Sequence, residues 1–451
     1  MKVCKFGGSS LATADQIRKV CDIVTSDPER RLVVVSAPGK RDKDDTKVTD
    51  LLIRCAEKML ADGEAGQELQ AVIDRYAEIA AGLDLPGDVI ETITAALEER
   101  LAYQAGSPEK FTDAMKAAGE DNCARLVARY LSAQGVEAQY VDPKEAGLVL
   151  TEEYGNAQVV ESSYDSLASL RDAPGITIFP GFFGYSSQGE IVTFPRGGSD
   201  ITGAIVAAAV KADVYENFTD VDSVFSARPD VVPDPAPIEE LTYGEMRELS
   251  YAGFSVFHEE ALQPVYLAGV PVCIKNTDNP DAPGTSIVPK HARRTGAVVG
   301  LASDGGFCMV YVKKYLMNRE VGFGRKLLQI FEEAGISYEH TPSGIDSISV
   351  VFRGDTFTPE VEQRVVEQIK ARLKPDSVYV ERDLALIMVV GEGMQHSVGL
   401  AARMTAAFAN AKVNIEMINQ GSSESSVMFG VKERDADDGV RALYGEFFRN
   451  A

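Results

Sequence analysis

Over its first 290 or so residues the chain alternates short β-rich runs with helical stretches. That alternation confines it to an α/β domain around a mostly parallel sheet. Residues 2–6, 31–36, 139–141, 176–179, 214–219 and 270–275 read as strands. Residues 50–135 read as helical, with one break at Asp84-Leu85-Pro86-Gly87. Residues 201–212 read as a helix that is apolar on nearly every side, and such a helix must be buried. Residues 230–237 and 276–284, both carrying prolines, read as surface loops.

After about residue 296 the pattern changes to an internal repeat at an offset of 77. Val321-Gly322 matches Val398-Gly399, Phe331 matches Phe408, Glu339 matches Glu416, Gly344 matches Gly421, and Ser349-Val350 matches Ser426-Val427. Each copy reads strand, loop, amphipathic helix, strand, glycine turn, strand. Leu327, Leu328, Phe331 and Ala334 share one helix face in the first copy. Units of about 75 residues fit a ferredoxin-like βαββαβ module. Two readings account for the repeat: modules that only pack or dimerise, or small-molecule sensors joined to an enzyme. The second draws on the tight turn before each helix, where N–H groups can hold a carboxylate.

Composition narrows the partners. The 451 residues include 45 Lys and Arg against 68 Asp and Glu, a formal net charge of −23. Such a chain repels phosphate backbones and anionic lipid, so neither nucleic acid nor membrane is expected as a partner. The six cysteines, at 4, 21, 55, 123, 273 and 308, form no CxxC pair. The four histidines, at 258, 291, 340 and 396, lie nowhere near zinc-ligand spacing, so no protein-held metal is expected. Scattered thiols suit a reducing compartment. The longest apolar runs fall far short of the ~18–20 residues that span a bilayer. A soluble cytoplasmic protein is expected.

Four segments could carry chemistry. Lys5-Phe6-Gly7-Gly8-Ser9-Ser10 ends the first strand just before a helix, where glycine amides and a lysine can approach an anion. It is neither GxxxxGK[ST] nor GxGxxG, and a plain tight turn explains it equally well. Arg196-Gly197-Gly198-Ser199-Asp200 precedes the buried helix; Ser199 and Asp200 read as an N-cap pair, and Arg196 offers a two-point grip on an oxyanion. Asp200 so close to an anion site is costly unless it meets an ammonium or a metal-bound phosphate; simple helix capping is the bland alternative. Ser36-Ala37-Pro38-Gly39 leads into residues 40–47, which hold four basic groups that either draw in an anion or are merely solvated. Thr219-Asp220-Val221-Asp222 closes another strand. His258 reads as structural, and no Ser-His-Asp or Cys-His arrangement is visible. Several strand ends bearing anion-holding loops favour a phosphate-transferring enzyme.

In this order, and with Gly119-Glu120 between them, these segments resemble the aspartokinases, and the repeat resembles their paired ACT domains. The resemblance covers essentially the whole chain. It implies a three-layer α/β/α amino-acid kinase (carbamate kinase-like) domain over 1–295, followed by two βαββαβ ACT domains. These would be 296–377, with 440–451 as a candidate completion, and 378–446. It implies ATP-dependent phosphorylation of L-aspartate to 4-phospho-L-aspartate, the first step towards lysine, threonine and methionine. Mg2+ would be held mainly by the nucleotide phosphates. It further implies feedback by an end-product amino acid and a homodimer or homotetramer paired through the ACT domains.

The resemblance also implies roles for particular residues. Lys5 and Asp200 would be catalytic, with Asp200 orienting Lys5 and the substrate, and with Lys5, Gly7, Gly8 and Ser9 facing the β- and γ-phosphates. Arg196 would clamp the aspartate α-carboxylate and Glu120 its ammonium, with Ser36, Thr49, Phe182, Gly197, Gly198 and Ser199 around them. Thr219, Asp220, Phe225, Arg228 and Asp230 would lie along the nucleotide. Two departures remove positive charge there: Arg228-Pro229-Asp230 stands where many members have Asp-Pro-Arg, and Ser255 where many have lysine. Arg228 and Lys275 are the candidates to compensate. For the effector the matching positions are Met317, Gly322, Phe323, Gly324, Arg325, Glu339 and Asp346; the two acids suit lysine better than threonine. The rivals are a kinase of the same fold for acetylglutamate, uridylate or carbamate, and a non-catalytic amino-acid sensor.

Overall fold

The computed structural model describes the chain apart from residues 104–105, 255–256, 258, 292–295, 396, 422–424 and 450–451. The described residues form two compact units. The first comprises Met1–Val224, Pro237–Ser250 and Ser255–Ala292; the second comprises Phe225–Ala236, Tyr251–Phe254 and Arg293–Ala451. Two short segments on the N-terminal side of residue 295 therefore group with the C-terminal part. Ala227, Val231 and Val232 explain the first of them, since they are buried in a hydrophobic cluster of the second unit.

In the first unit the elements run β1 (Lys2–Phe6), α1 (Ala14–Thr25), β2 (Arg30–Val35), α2 (Val48–Asp62), α3 (Gly66–Gly82), α4 (Asp88–Leu101) and α5 (Pro108–Ala133). They continue as β3 (Ala138–Tyr140), α6 (Pro143–Ala146), α7 (Ser162–Leu167), β4 (Ile176–Pro180), β5 (Phe183–Tyr185), β6 (Ile191–Thr193), α8 (Gly198–Ala209) and β7 (Val214–Thr219). The unit closes with β8 (Glu240–Thr242), α9 (Tyr243–Tyr251), α10 (Glu259–Ala268), β9 (Val272–Asn276) and β10 (Thr285–Val288). Eight strands form one sheet in the order β3-β4-β2-β1-β7-β9-β10-β8, parallel except where β9 meets β10. β5 and β6 form a separate hairpin.

The order places β1 at a switch point, with β2 on one side and β7 on the other, and ligands bind beyond the carboxyl ends of strands at such a crevice. Side chains of β1 alternate between faces. Cys4 and Phe6 join the cluster built with α1 to α5. Lys5 belongs to the opposite face, on which α8 packs. α8 is buried along its length, as its composition demands, and it starts three residues earlier than predicted. The reason is Gly197, whose φ of +78° makes it the N-cap, so Asp200 sits in the first turn and caps nothing. The first glycine loop also differs from expectation. A 3₁₀ turn, Gly8–Leu11, follows it, and α1 begins only at Ala14, capped by the Thr13 hydroxyl accepting from the Gln16 amide at 3.3 Å. The positive end of α1 is thus not at the loop.

The second unit contains β11 (Gly300–Lys313), α11 (Phe323–Glu333), β12 (Ser347–Arg353), α12 (Pro359–Leu373), β13 (Ser377–Val390), α13 (Leu400–Asn410), β14 (Met417–Gln420), β15 (Ser426–Lys432) and α14 (Ala436–Tyr444). The two repeats share one antiparallel sheet, ordered β12-β11-β13-β15-β14, because β11 and β13 pair along their whole length. Two cores divide these long strands. Cys308, Val310 and Val312 pack with α11 and α12, whereas Leu301, Ala385, Ile387 and Val389 pack with α13 and α14. The chain around 440–447 joins the second of these cores. In the first copy the strand expected before the glycine turn is reduced to isolated bridges at His340 and Ser343; Pro342, lacking an N–H, cannot continue a ladder there.

At the other end of the central strands Arg30 meets Glu216 in a buried two-point pair, at 2.7 and 3.2 Å, and donates to the Ile23 carbonyl at 2.7 Å. Removing one member strands the other charge in the core. Arg30→Met is expected to cost about 3–5 kcal/mol in urea unfolding, and adding Glu216→Met to restore most of it. A loss below ~1 kcal/mol would show that the pair is solvated after all.

Candidate functional site

A cleft of about 750 Å3 opens beyond the carboxyl ends of β1, β2 and β4 in the first unit. Twelve of the residues singled out from sequence line it: Lys5, Gly8, Ser9, Ser36, Thr49, Glu120, Phe182, Arg196, Gly197, Gly198, Ser199 and Asp200. Segments up to 195 residues apart in sequence thus converge on one space.

Its charged centre is Lys5. The ammonium lies 2.6 Å from Asp200 Oδ1, and Asn217, Lys5's register partner on β7, donates to the same oxygen at 2.8 Å. The ammonium that Asp200 required is therefore Lys5. Lys5 is 8% exposed, so an unpaired ammonium there would be costly. Gly203 lets α8 come this close, since a Cβ would stand 2.3 Å from the Tyr215 hydroxyl, which donates to the Asp200 carbonyl at 3.2 Å.

Close backbone approach shapes the rest. A Cβ on Gly39 would fall 2.6 Å from the Gly8 carbonyl carbon, and the Gly39 amide donates to the Gly8 oxygen at 2.8 Å. The Gly7 amide donates to Phe218 O at 3.2 Å, which anchors the loop to β7 and withdraws that amide from any ligand. Gly8 and Ser9 remain on the cleft wall. Phe182 holds a left-handed φ of +74°, strained for an aromatic residue. Its amide donates to the Thr202 hydroxyl at 3.0 Å and its carbonyl accepts from Phe194 at 2.9 Å. Gly198 accommodates this wall, because a Cβ there would lie 2.6 Å from the Phe182 ring.

Glu120 is buried on α5, brought in by Gly119, whose bare Cα lets the helix press on Ala37. Its Oε2 has no hydrogen-bond partner. Burial pushes its carboxyl up to about 8, against the Ala37 amide and the Lys5 and Lys116 charges, which pull it down. Of the basic segment at 40–47, Lys40 and Lys47 line the cleft, while Arg41 is tied to Asp45 and Glu78. The bonds from Arg41, with one from Arg75, hold the Asp45 carboxyl well below the usual range.

Sequence reasoning missed Lys116, Asp113 and Phe194. Lys116 and Phe194 line the cleft, and Lys116 Nζ lies 2.6 Å from Asp113 Oδ1 and 3.0 Å from Thr193 Oγ1. The available signal was spacing, since 113, 116 and 120 fall on one helix face.

The remaining predicted positions lie elsewhere. Thr219 and Asp220 close β7, where the Thr219 hydroxyl donates to Asp220 at 3.2 Å. Phe225, Arg228 and Asp230 belong to the second unit. Arg228 Nε donates to Asp230 Oδ1 at 3.1 Å, so each member of the swapped pair neutralises the other. Ser255 and His258 lie outside the described residues. Among the effector candidates, Met317 and Phe323 are buried in the first repeat's core. Gly322 is the left-handed N-cap of α11, followed by Gly324 in its first turn, and Arg325 donates to Gln329 at 3.0 Å. Asp346 accepts from the Leu316 amide at 2.9 Å, and Glu339 accepts from the Tyr251 hydroxyl. Among the described residues no helix is long and apolar enough to cross a membrane.

Comparison with known proteins adds to this geometry. Residues 1–276 match the amino acid kinase family and residues 387–447 an ACT domain. The chain is 57% identical over 448 residues to Aspartokinase 3 of Bacillus subtilis, covering 99% of each. The aspartate kinase of Clostridium acetobutylicum superposes with a TM-score of 0.89 at 37% identity, over 99% of this chain and 100% of that one. Escherichia coli aspartokinase III, solved with aspartate and ADP in its R state, gives 0.79 at 28%, over 99% and 100%. Its T state with lysine and aspartate gives 0.77 at 27%, over 99% of each chain.

The Glu120 carboxyl yields a stability prediction. Its folded pKa of about 8 lies above the ordinary value near ~4.3, so between these pH values the folded chain holds a proton that the unfolded chain has released. Stability of the ligand-free protein should therefore fall as pH rises from about 5 to 8. In Glu120→Gln that part of the slope should vanish, as read by thermal unfolding at stepped pH. An unchanged slope would mean that Glu120 is ionised throughout.

Proposed function

Because the chain belongs to the aspartokinases, within the amino acid kinase family, we propose that its cleft holds aspartate between Glu120 and Lys5 and passes it the γ-phosphoryl group of ATP, giving 4-phospho-L-aspartate. The protein is an aspartate kinase. The observation carrying the assignment of parts is the convergence of the Lys5–Asp200 pair and the Glu120 carboxyl, whose Oε2 has no partner, on one cleft.

A carboxylate is ionised at neutral pH, so the acceptor needs no general base. One of its oxygens attacks the γ-phosphorus while the bond to the β–γ bridging oxygen breaks, and ADP leaves with that electron pair. The protein's task is positioning and charge neutralisation. Lys5, oriented by Asp200, supplies fixed positive charge to the transferring group, and Gly8 and Ser9 present the loop to the phosphates. Gly7 acts through its anchor on Phe218. Arg196, exposed at the N-terminus of α8 beside Gly197, Gly198 and Ser199, is suited to a carboxylate. Ser36, Thr49 and Phe182 complete the aspartate side. Thr219 and Asp220 are read as nucleotide contacts. Mg2+ is read as carried mainly by the triphosphate, as is usual for this hard cation.

The second unit is read as the feedback element of lysine and threonine synthesis, with lysine favoured over threonine. The E. coli enzyme with bound lysine supports this choice, as do two carboxylates, Glu339 and Asp346, able to meet an ε-ammonium. Val321 and Val398 occupy matching places in the two repeats and are fully exposed. Their exposure supports pairing of subunits through these modules.

An assay with MgATP, L-aspartate and hydroxylamine should give aspartyl hydroxamate only when ATP is present, and lysine should suppress it. ATP-independent product or none would overturn the catalytic reading; suppression by threonine alone would overturn the effector. Arg196→Ala should raise KM for aspartate about tenfold or more, the size of a lost charged hydrogen bond, and KM for ATP far less. Equal effects on both would remove Arg196 from the aspartate side.

A further inference from the structure

An α-amino acid carries opposite charges on one carbon, so a site that selects it needs an acid and a base side by side. α5 presents such a couple. Lys116 and Glu120 are four residues apart, hence on one face with Cβ atoms ~6 Å apart, and both line the cleft. We propose that Lys116 is a specificity-determining residue that donates, alongside Arg196, to the α-carboxylate of the substrate while Glu120 takes its ammonium. This rests on the aspartate kinase reading and extends it to a residue outside the glycine loops.

The surroundings of Lys116 fix its head group without saturating it. An ammonium has three N–H donors. Two are directed at Asp113 Oδ1, 2.6 Å away, and at Thr193 Oγ1, 3.0 Å away, which leaves one for the cleft. Asp113 is itself rigid: it is 2% exposed, and its Oδ2 accepts from the Gly155 and Thr193 amides, each at 2.8 Å. The lysine is thereby pinned between α5 and the β5–β6 hairpin, 5.8 Å from the Phe182 ring centroid. Gly155 lies against this head group, where a Cβ would stand 3.7 Å from Nζ, at ordinary contact distance. With the ammonium of aspartate on Glu120, the α-carboxylate lies on the same carbon and reaches towards Lys116. The side-chain carboxylate, two carbons further on, is free to extend to Lys5.

The test compares L-aspartate with its α-amide, L-isoasparagine, which keeps the reacting carboxylate but lacks the charge Lys116 would read. ADP release is followed for the wild type, Lys116→Met and Lys116→Gln; the glutamine retains polar contact with Asp113 or Thr193 if the apolar variant folds poorly. The wild type should prefer aspartate. Both variants should raise KM for aspartate about tenfold or more, leave KM for ATP within about twofold, and shrink the preference over the α-amide by the same factor. If both substrates lose activity in parallel, or KM for ATP rises with that for aspartate, Lys116 only props the hairpin and the inference falls. An unchanged KM for aspartate overturns it equally. Absence of any ATP-dependent product in the wild type would instead sink the kinase reading.

Discussion

A lysine ammonium at the end of β1 is tolerable in the interior only with a carboxylate against it, and much of the first unit is arranged to supply one. Asp200 comes from a helix almost 200 residues later. It reaches Lys5 because β7 lies beside β1, because Asn217 holds the same carboxylate oxygen, and because Gly203 lets α8 press against Tyr215. A single buried ion pair is weak evidence for stability. Here its consequence is geometric, since it fixes one cation beside the loop of Gly8 and Ser9.

Around that pair the cleft is made by backbone approach more than by side-chain chemistry. Gly39 touches Gly8, Gly119 touches Ala37, and Gly198 touches Phe182, each at a separation no Cβ could share. These contacts bring the ends of β1 and β2, the middle of α5 and the start of α8 within reach of one small molecule. The left-handed Phe182 belongs to the same set, held by Thr202 on one side and Phe194 on the other. Strain at such a position persists only where the surroundings over-determine it.

In the second unit the constraint is the pairing of two long strands. β11 and β13, one from each repeat, pair along their whole length and each contributes to both cores, so the two modules share a sheet while keeping separate cores. Asp346 illustrates how far local bonding conditions any ligand role there: its carboxylate accepts from the Leu316 amide, where the chain turns left-handed before α11.

Much of the fold was legible from local pattern. Strand and helix periodicities located six of the eight sheet strands to within about two residues and missed the short β8 and β10, and the internal repeat flagged the change of pattern near residue 296, because side-chain burial imprints its period directly on sequence. The two glycine motifs were likewise visible, since residue type there is dictated by backbone approach and charge, whereas Gly119-Glu120 entered only through the family resemblance. Local pattern could not choose between Asp200 pairing with Lys5, which the family resemblance implied, and Asp200 capping α8. The cap depends on a left-handed Gly197, and the pairing depends on which strand lies next to β1. Nor could it say that Gly7's amide is taken by Phe218, that Arg228 is neutralised by Asp230, or that Asp113 aims Lys116 into the cleft. Those facts are set by distances between segments far apart in the chain. Composition and motif thus determined which groups were available for chemistry, and only the packing of sheet and helices decided which were free to meet a ligand, because hydrogen-bond capacity used within the fold is lost to the substrate.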